Sequence, residues 1–294
     1  MTMTLRLGTF SNPVLLEVAR QIGALDDAGL DVEARPVPSS PAQFRDLRNG
    51  ELDAVLTNPD NLIAYRYIPQ NPLGELLDVV AVAAIDRGLG LTLCAAPGIA
   101  APSAGMRLGV DAASSGFALL AYGLLAERSL AVDSLAIETL GSTPRRARAL
   151  VEGECDVTML NAGHELIAID RGCTALGTAD DLGPYLGTVL ARLAGAPSEP
   201  VLRLAAVLLA TAAGIVAGEL DGEVRSASER ILGLSAPLAD GHLAVLRDPR
   251  RGLVPEGIVD DESMETVLDL RERYLPDPAV STARAHWREM LAGA

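Results

Sequence analysis

Apolar residues fall here into short unbroken runs. Ala54-Val55-Leu56-Thr57 and Val157-Thr158-Met159-Leu160 carry no polar alternate, and each runs into an asparagine. Such runs read as strands buried on both faces, the character of a parallel sheet covered by helices. After the first, Pro59 lacks the amide donor a ladder needs, and Asn58 and Asp60 are turn formers, so the strand is expected to end in a polar loop.

The pattern occurs twice. NGELDAVLTNPD at 49–60 aligns with EGECDVTMLNAG at 152–163, glycine on glycine, glutamate on glutamate, aspartate on aspartate and asparagine on asparagine, an offset of 103 (161 − 58). Upstream, Pro41 and Pro144 keep that offset, each reading as a first-turn proline behind a Ser or Thr cap. Leu5-Arg6-Leu7-Gly8-Thr9 and Met106-Arg107-Leu108-Gly109-Val110 match two residues out of step, as a loop of different length would allow. Two successive segments therefore use one order of elements, strand, helix, strand, helix, strand.

The first copy predicts strands at 5–10, 31–37 and 54–57, with helices at 13–28 and 41–49. The second predicts strands at 107–110, 135–140 and 157–160, with helices at 116–128, 144–152 and 162–171. Strands alternating with helices make parallel sheets, so each copy is expected to be one α/β lobe. Ligands of such sheets lie beyond the carboxyl ends of the strands, where loops lead into helix N-termini with free amides. The loops at Thr9–Asn12, Asn58–Asp60, Asp111–Gly116 and Asn161–Glu165 are those ends.

Composition narrows the chemistry. At 294 residues there is room for two lobes, and aromatics make up only 3%, which disfavours a site of stacked rings. The net charge of −15 makes nucleic acid and anionic membrane surfaces poor partners. All 24 basic residues are arginine, which excludes lysine Schiff-base chemistry and the lysine-bearing phosphate loop. No Gly-x-Ser-x-Gly elbow is present. Cys94, Cys155 and Cys173 read as buried free thiols, with a Cys155–Cys173 bridge left open. His164-Glu165 opens like a zinc-protease helix, but position 168 is Ala, and neither metal nor cofactor is expected. The apolar stretch 204–218 spans roughly 23 Å as a helix against a hydrocarbon core of about 30 Å, so it reads as a buried Ala-rich helix without membrane insertion. Met1-Thr2-Met3-Thr4 runs straight into the first expected strand, with no basic start, apolar core or cleavage site, so the chain as written is expected in the cytoplasm.

Together these motifs resemble the type II periplasmic-binding-protein fold, nearest to solute receptors for thiamine precursors, sulfonates and nitrate-like ligands. The resemblance rests on the LRLGTFSNP opening, on GALDDAGLDVE at 23–33, and on Gly50-Glu51-Leu52-Asp53-Ala54 with its echo at Gly153–Val157, and covers roughly residues 5–190. It implies an α/β, two-lobed fold, each lobe a mostly parallel sheet flanked by helices, closing on a small polar or anionic molecule. Lobe 1 is expected at 1–95, lobe 2 at 96–191, and the helices of 192–294 back on lobe 1 and across the hinge, with crossings at 79–96 and 186–192. The last amphipathic stretch, 263–274, offers Met264, Val267, Leu268 and Leu270 to a core. An ABC permease would be the partner if the chain is exported. Without an export signal, the alternative is a cytosolic enzyme of this fold, of decarboxylase, dehydratase or cyclase type, acting on a small organic acid.

The candidate ligand residues are Thr9, Ser11, Asn12, Ser39, Asn58, Asp60, Asp111, Ser114, Ser115, Gly116, Ser142, Asn161 and His164. Most stand where a strand ends and a helix begins, so helix capping competes with ligand contact. The helix opening at Asp111–Gly116 offers amides and hydroxyls, and the resembled family places ligand anions there. In an enzyme, His164 would be the leading acid or base. Loop-end side chains are expected to matter little for folding, so Asn58→Ala and Ser115→Ala should shift apo stability by no more than about 0.5 kcal/mol.

Overall fold

The computed structural model describes residues 3–292; Met1 and Thr2 of the N-terminal reading lie outside it. Two five-stranded sheets form, one per repeat. The first contains β1 (Met3–Thr9), β2 (Leu30–Pro36), β3 (Ala54–Thr57), β4 (Val79–Asp86) and β10 (Thr188–Leu193), in the order β2-β1-β3-β10-β4. The second contains β5 (Thr92–Ala95), β6 (Arg107–Val110), β7 (Ala136–Thr139), β8 (Val157–Leu160) and β9 (Thr174–Thr178), in the order β7-β6-β8-β5-β9. β1 is parallel to β2 and β3, and β6 to β7 and β8. β10 and β5 run antiparallel to their neighbours, because each is the strand by which the chain enters from the other lobe. The chain changes sheet between Asp86 and Thr92 and returns between Thr178 and Thr188. Thr92–Ala95 already pair in the second sheet and Thr188–Leu193 in the first.

The same device locks both copies. Arg6 forks onto Asp53 at 2.9 and 2.6 Å, and Asp53 also accepts the Arg6 amide at 2.7 Å. Arg107 repeats this on Asp156 at 3.1 and 2.7 Å, with its amide at 2.7 Å. These bidentate pairs tie the first strand of each repeat to the turn before its third.

Helices in the first lobe are α1 (Val14–Gln21), α2 (Ala24–Asp27), α3 (Ser40–Arg48) and α4 (Pro59–Tyr67). The helix expected at 13–28 is broken in two, because Gly23 takes φ +76°, a left-handed turn that ends the first piece. In the second lobe, α5 (Gly116–Ala126), α6 (Thr143–Val151) and α7 (His164–Asp170) follow the expected order. The C-terminal segment forms α8 (Glu199–Ala217), α9 (Asp221–Leu232), α10 (Ala236–Arg247), α11 (Asp261–Tyr274) and α12 (Pro278–His286). Met264, Val267, Leu268 and Leu270 of α11 are buried. That stretch is not the last helix: α12 follows, capped by Asp277 on the Ala279 amide, its one-turn-scale apolar pattern too short to stand out.

α8 is long and apolar enough to cross a membrane, yet it buries Leu204, Leu208 and Ile215 against β1, β4, α1 and α10 and leaves Leu202 and Val216 exposed. It is therefore buried along one stripe and not all round. Each sheet carries apolar cores on both faces. The three cysteines are free, buried, and gathered in the core between the second sheet and α6 and α7.

Candidate functional site

The ends of β1, β3, β6 and β8 meet between the lobes, where the parallel topology aims four helix N-termini at one space. That space is a cavity of about 100 Å³. Thr9, Ser11, Asn12, Asn58, Asp111, Ser115, Gly116 and Asn161 line it; Ser39, Asp60, Ser114, Ser142 and His164 do not.

The two repeated asparagines are engaged with the hinge. Asn58 Oδ1 accepts the Asp60 amide at 3.0 Å, capping α4, while Nδ2 donates to Tyr185 Oη and the Gly187 carbonyl, both at 3.0 Å. Asn161 Nδ2 donates to the Gly88 carbonyl at 3.0 Å. Each asparagine thus holds the crossing that passes its own strand end. The crossings touch at Gly88 and Gly187: a Cβ on Gly187 would stand 2.2 Å from Gly88 Cα and 2.3 Å from Gly88 N, a contact only glycine permits. The lobes are closed on one another, since a Cβ on Gly116 would meet Asn58 Oδ1 at 2.2 Å.

The remaining sequence-selected residues serve neighbouring structure. Ser39 caps α3 on the Ala42 amide at 3.4 Å. Asp60, 1% exposed, is held by Arg271 of α11 through bonds of 2.5 and 2.7 Å, and the same guanidinium reaches the Ser114 carbonyl at 3.3 Å. One arginine therefore joins both lobes to the C-terminal segment. Ser142 begins α6 without a side-chain cap. Ser115 caps α5 on the Ala118 amide and donates to Asp111 Oδ1 at 2.5 Å. His164 begins α7 with Nε2 buried and unpartnered; burial first, and then the nearby Arg146 charge, pull its pKa down to about 4.

Sequence reasoning missed the basic residue of the cavity, Arg146. It is 3% exposed and donates to the Gly141 carbonyl at 2.6 Å, Thr143 Oγ1 at 3.2 Å and the Met159 carbonyl at 3.2 Å. No carboxylate pairs with it among the described residues, in contrast to Arg271 on Asp60. Burial lowers its pKa from the ordinary arginine value, with Asp111 pulling the other way. The repeat held the signal: at offset 103 (146 − 43) the first lobe has Gln43, whose amide donates to the Gly8 and Leu56 carbonyls at 3.2 and 3.1 Å. Leu56 and Met159 are themselves repeat partners, so the second lobe has exchanged a neutral amide for a guanidinium at one position. Asp86 at the end of β4 also lines the cavity; burial pushes its carboxyl up to about 6, against the Gly88 amide and Thr188 that hold it. His242 of α10, far from the repeat, completes the wall.

No protein-family model matches the chain, and no curated protein matches it. Solved structures do. The alkanesulfonate-binding protein of Xanthomonas axonopodis pv. citri, bound to MOPS, is 17% identical with a TM-score of 0.72, covering 95% of this chain and 97% of that one. The periplasmic nitrate-binding protein of Synechocystis PCC 6803 is 12% identical with a TM-score of 0.73, covering 98% and 88%. A Candida albicans protein described as having the generic periplasmic binding protein fold is 14% identical with a TM-score of 0.67, covering 95% and 94%. The chain has the two-lobed periplasmic-binding-protein fold.

Proposed function

We propose that this chain binds a small polar or anionic organic molecule between its lobes, as a solute-binding protein does. The observation that carries the reading is Arg146, a buried guanidinium on the cavity wall whose bonds go to two carbonyls and a hydroxyl. A buried charge with no carboxylate bonded to it is costly, the Asp111 charge acting on it only through space, and an anionic ligand would supply the missing bonded partner. The N-terminus of α5 lies on the same wall and adds to the attraction for an anion. Mostly apolar surroundings suit an organic body, and they strengthen each charge-assisted bond.

An ABC permease is the partner this reading implies if the chain works outside the cytoplasm, as the periplasmic nitrate-binding protein of similar fold does. We place catalysis by His164 second, because it is buried off the cavity wall, and the nearby Arg146 charge helps to keep its ring neutral.

The test is calorimetric titration with short carboxylates and sulfonates, with the matching amines as a control series, on wild type and Arg146→Gln. Glutamine is chosen because Gln43 occupies the equivalent place in the first lobe and bonds the equivalent carbonyl, so the variant should fold. Losing a charged hydrogen bond of about 1.5–3 kcal/mol should weaken acid binding by about tenfold or more. Equal acid affinity in both proteins, or tighter binding of the amines to Asp86 and Asp111, would overturn the anion reading.

A further inference from the structure

Two residues that line the cavity carry polar atoms that the protein leaves unused. Thr9 Oγ1 and both ring nitrogens of His242 have no hydrogen-bond partner among the described residues, and the two residues are 2% and 1% exposed. Buried polar groups almost always find partners, so orphans on two residues that line one cavity point to a ligand as the missing partner. They come from separate parts of the fold: Thr9 from the end of β1 in the first lobe, His242 from α10 of the C-terminal segment. Arg146 from the second lobe faces the same cavity.

The protonation state of His242 indicates what it can take. Burial, reinforced by His164, pulls its pKa down to about 4, so at neutral pH the ring is uncharged and offers one donor and one acceptor. A ring of that kind suits an uncharged partner such as a hydroxyl or a carbonyl. It has no charge with which to hold a second anion. Phe10, Leu56, Ile85, Phe117 and Leu208 line the rest of the space, which requires an apolar body between the polar ends.

We propose that the ligand is a small organic anion carrying a second, uncharged oxygen function on an apolar body, and that His242 recognises that function. This rests on the anion reading above, with Arg146 holding the acid group. The C-terminal segment thereby becomes a third wall of the site, so that specificity is set outside the two repeats.

The experiment compares acids differing by one oxygen function: pentanoate with 4-oxopentanoate and 4-hydroxypentanoate, and benzoate with 3-hydroxybenzoate. Each is titrated into the full chain as wild type, His242→Phe, His242→Gln and Arg146→Gln. The oxygenated member of at least one pair should bind wild type about fivefold or more tighter than its parent. His242→Phe should erase that preference, and His242→Gln, which keeps a donor and an acceptor, should retain part of it. The chain has three histidines, so imidazole nitrogen resonances in wild type give a readout that does not depend on a variant folding. Saturation with the preferred acid should move the His242 signals and leave those of exposed His286 in place. Arg146-dependent binding without preference, or with a preference that survives in His242→Phe, or with His242 signals unmoved, overturns the inference and leaves the anion reading intact. Failure of every acid to bind in an Arg146-dependent way overturns the anion reading, and the ligand class with it.

Discussion

Replacing Asn58 by alanine tests whether this side chain belongs to the hinge or only to a loop. The substitution removes the cap on the Asp60 amide, worth about 1 kcal/mol. It also removes two donations, to Tyr185 Oη and the Gly187 carbonyl, each at 3.0 Å and each worth about 1 kcal/mol net. The sum is about 3 kcal/mol, or roughly 6–12 °C in melting temperature at the sensitivity of a mid-sized domain. The loop-end argument from sequence expects no more than about 0.5 kcal/mol. Its premise fails because Asn58 is 5% exposed. Asn161→Ala loses the single bond to the Gly88 carbonyl and should cost about 1 kcal/mol. Urea unfolding of ligand-free protein, followed by circular dichroism and by the buried Trp287, measures both. A cost for Asn58→Ala below about 0.5 kcal/mol, or a larger cost for Asn161→Ala, would refute the hinge assignment.

Four further outcomes follow from burial and packing. Asp60→Leu and Arg271→Met should each cost about 3–5 kcal/mol, while the double variant should recover most of that loss in a denaturation cycle, because a buried charge is expensive mainly when left alone. Gly187→Ala pushes a methyl into Gly88 backbone and should destabilise by about 3 kcal/mol, whereas Gly222→Ala in α9, with open space around it, should stabilise by up to about 1 kcal/mol; paired melts decide. Burial pushes the Glu165 carboxyl up to about 8, so the folded state keeps a proton that the unfolded chain releases above about 4.5. Stability should therefore fall as pH rises from about 4.5 towards 8, and Glu165→Gln should flatten that slope. His164 and His242, pulled down to about 4, act on the acid side: the unfolded chain binds their protons first, and stability should be lost as pH falls from about 6.5 towards 4.

Periodicity and repetition were enough to determine the element order within the two repeats, because whether a segment is strand or helix depends on residues close in sequence. β3, β6 and β8 begin and end where the apolar runs do, while the crossing strands β4, β5 and β10 were expected only from the family resemblance. The repeat also brought Asn58 and Asn161 to one cavity. Their bonding partners were decided by tertiary structure, since Tyr185 and Gly187 lie 127 and 129 residues beyond Asn58. Asp60 read as a ligand group until folding brought Arg271 from 211 residues away to neutralise it. Arg146 is one of three arginines in TPRRARALV, and only burial without a paired carboxylate distinguishes it from its neighbours. His242 carried no local signal at all. A histidine on an amphipathic helix looks the same whether its face meets a core or a cavity, and that is fixed by how α10 packs against the two lobes.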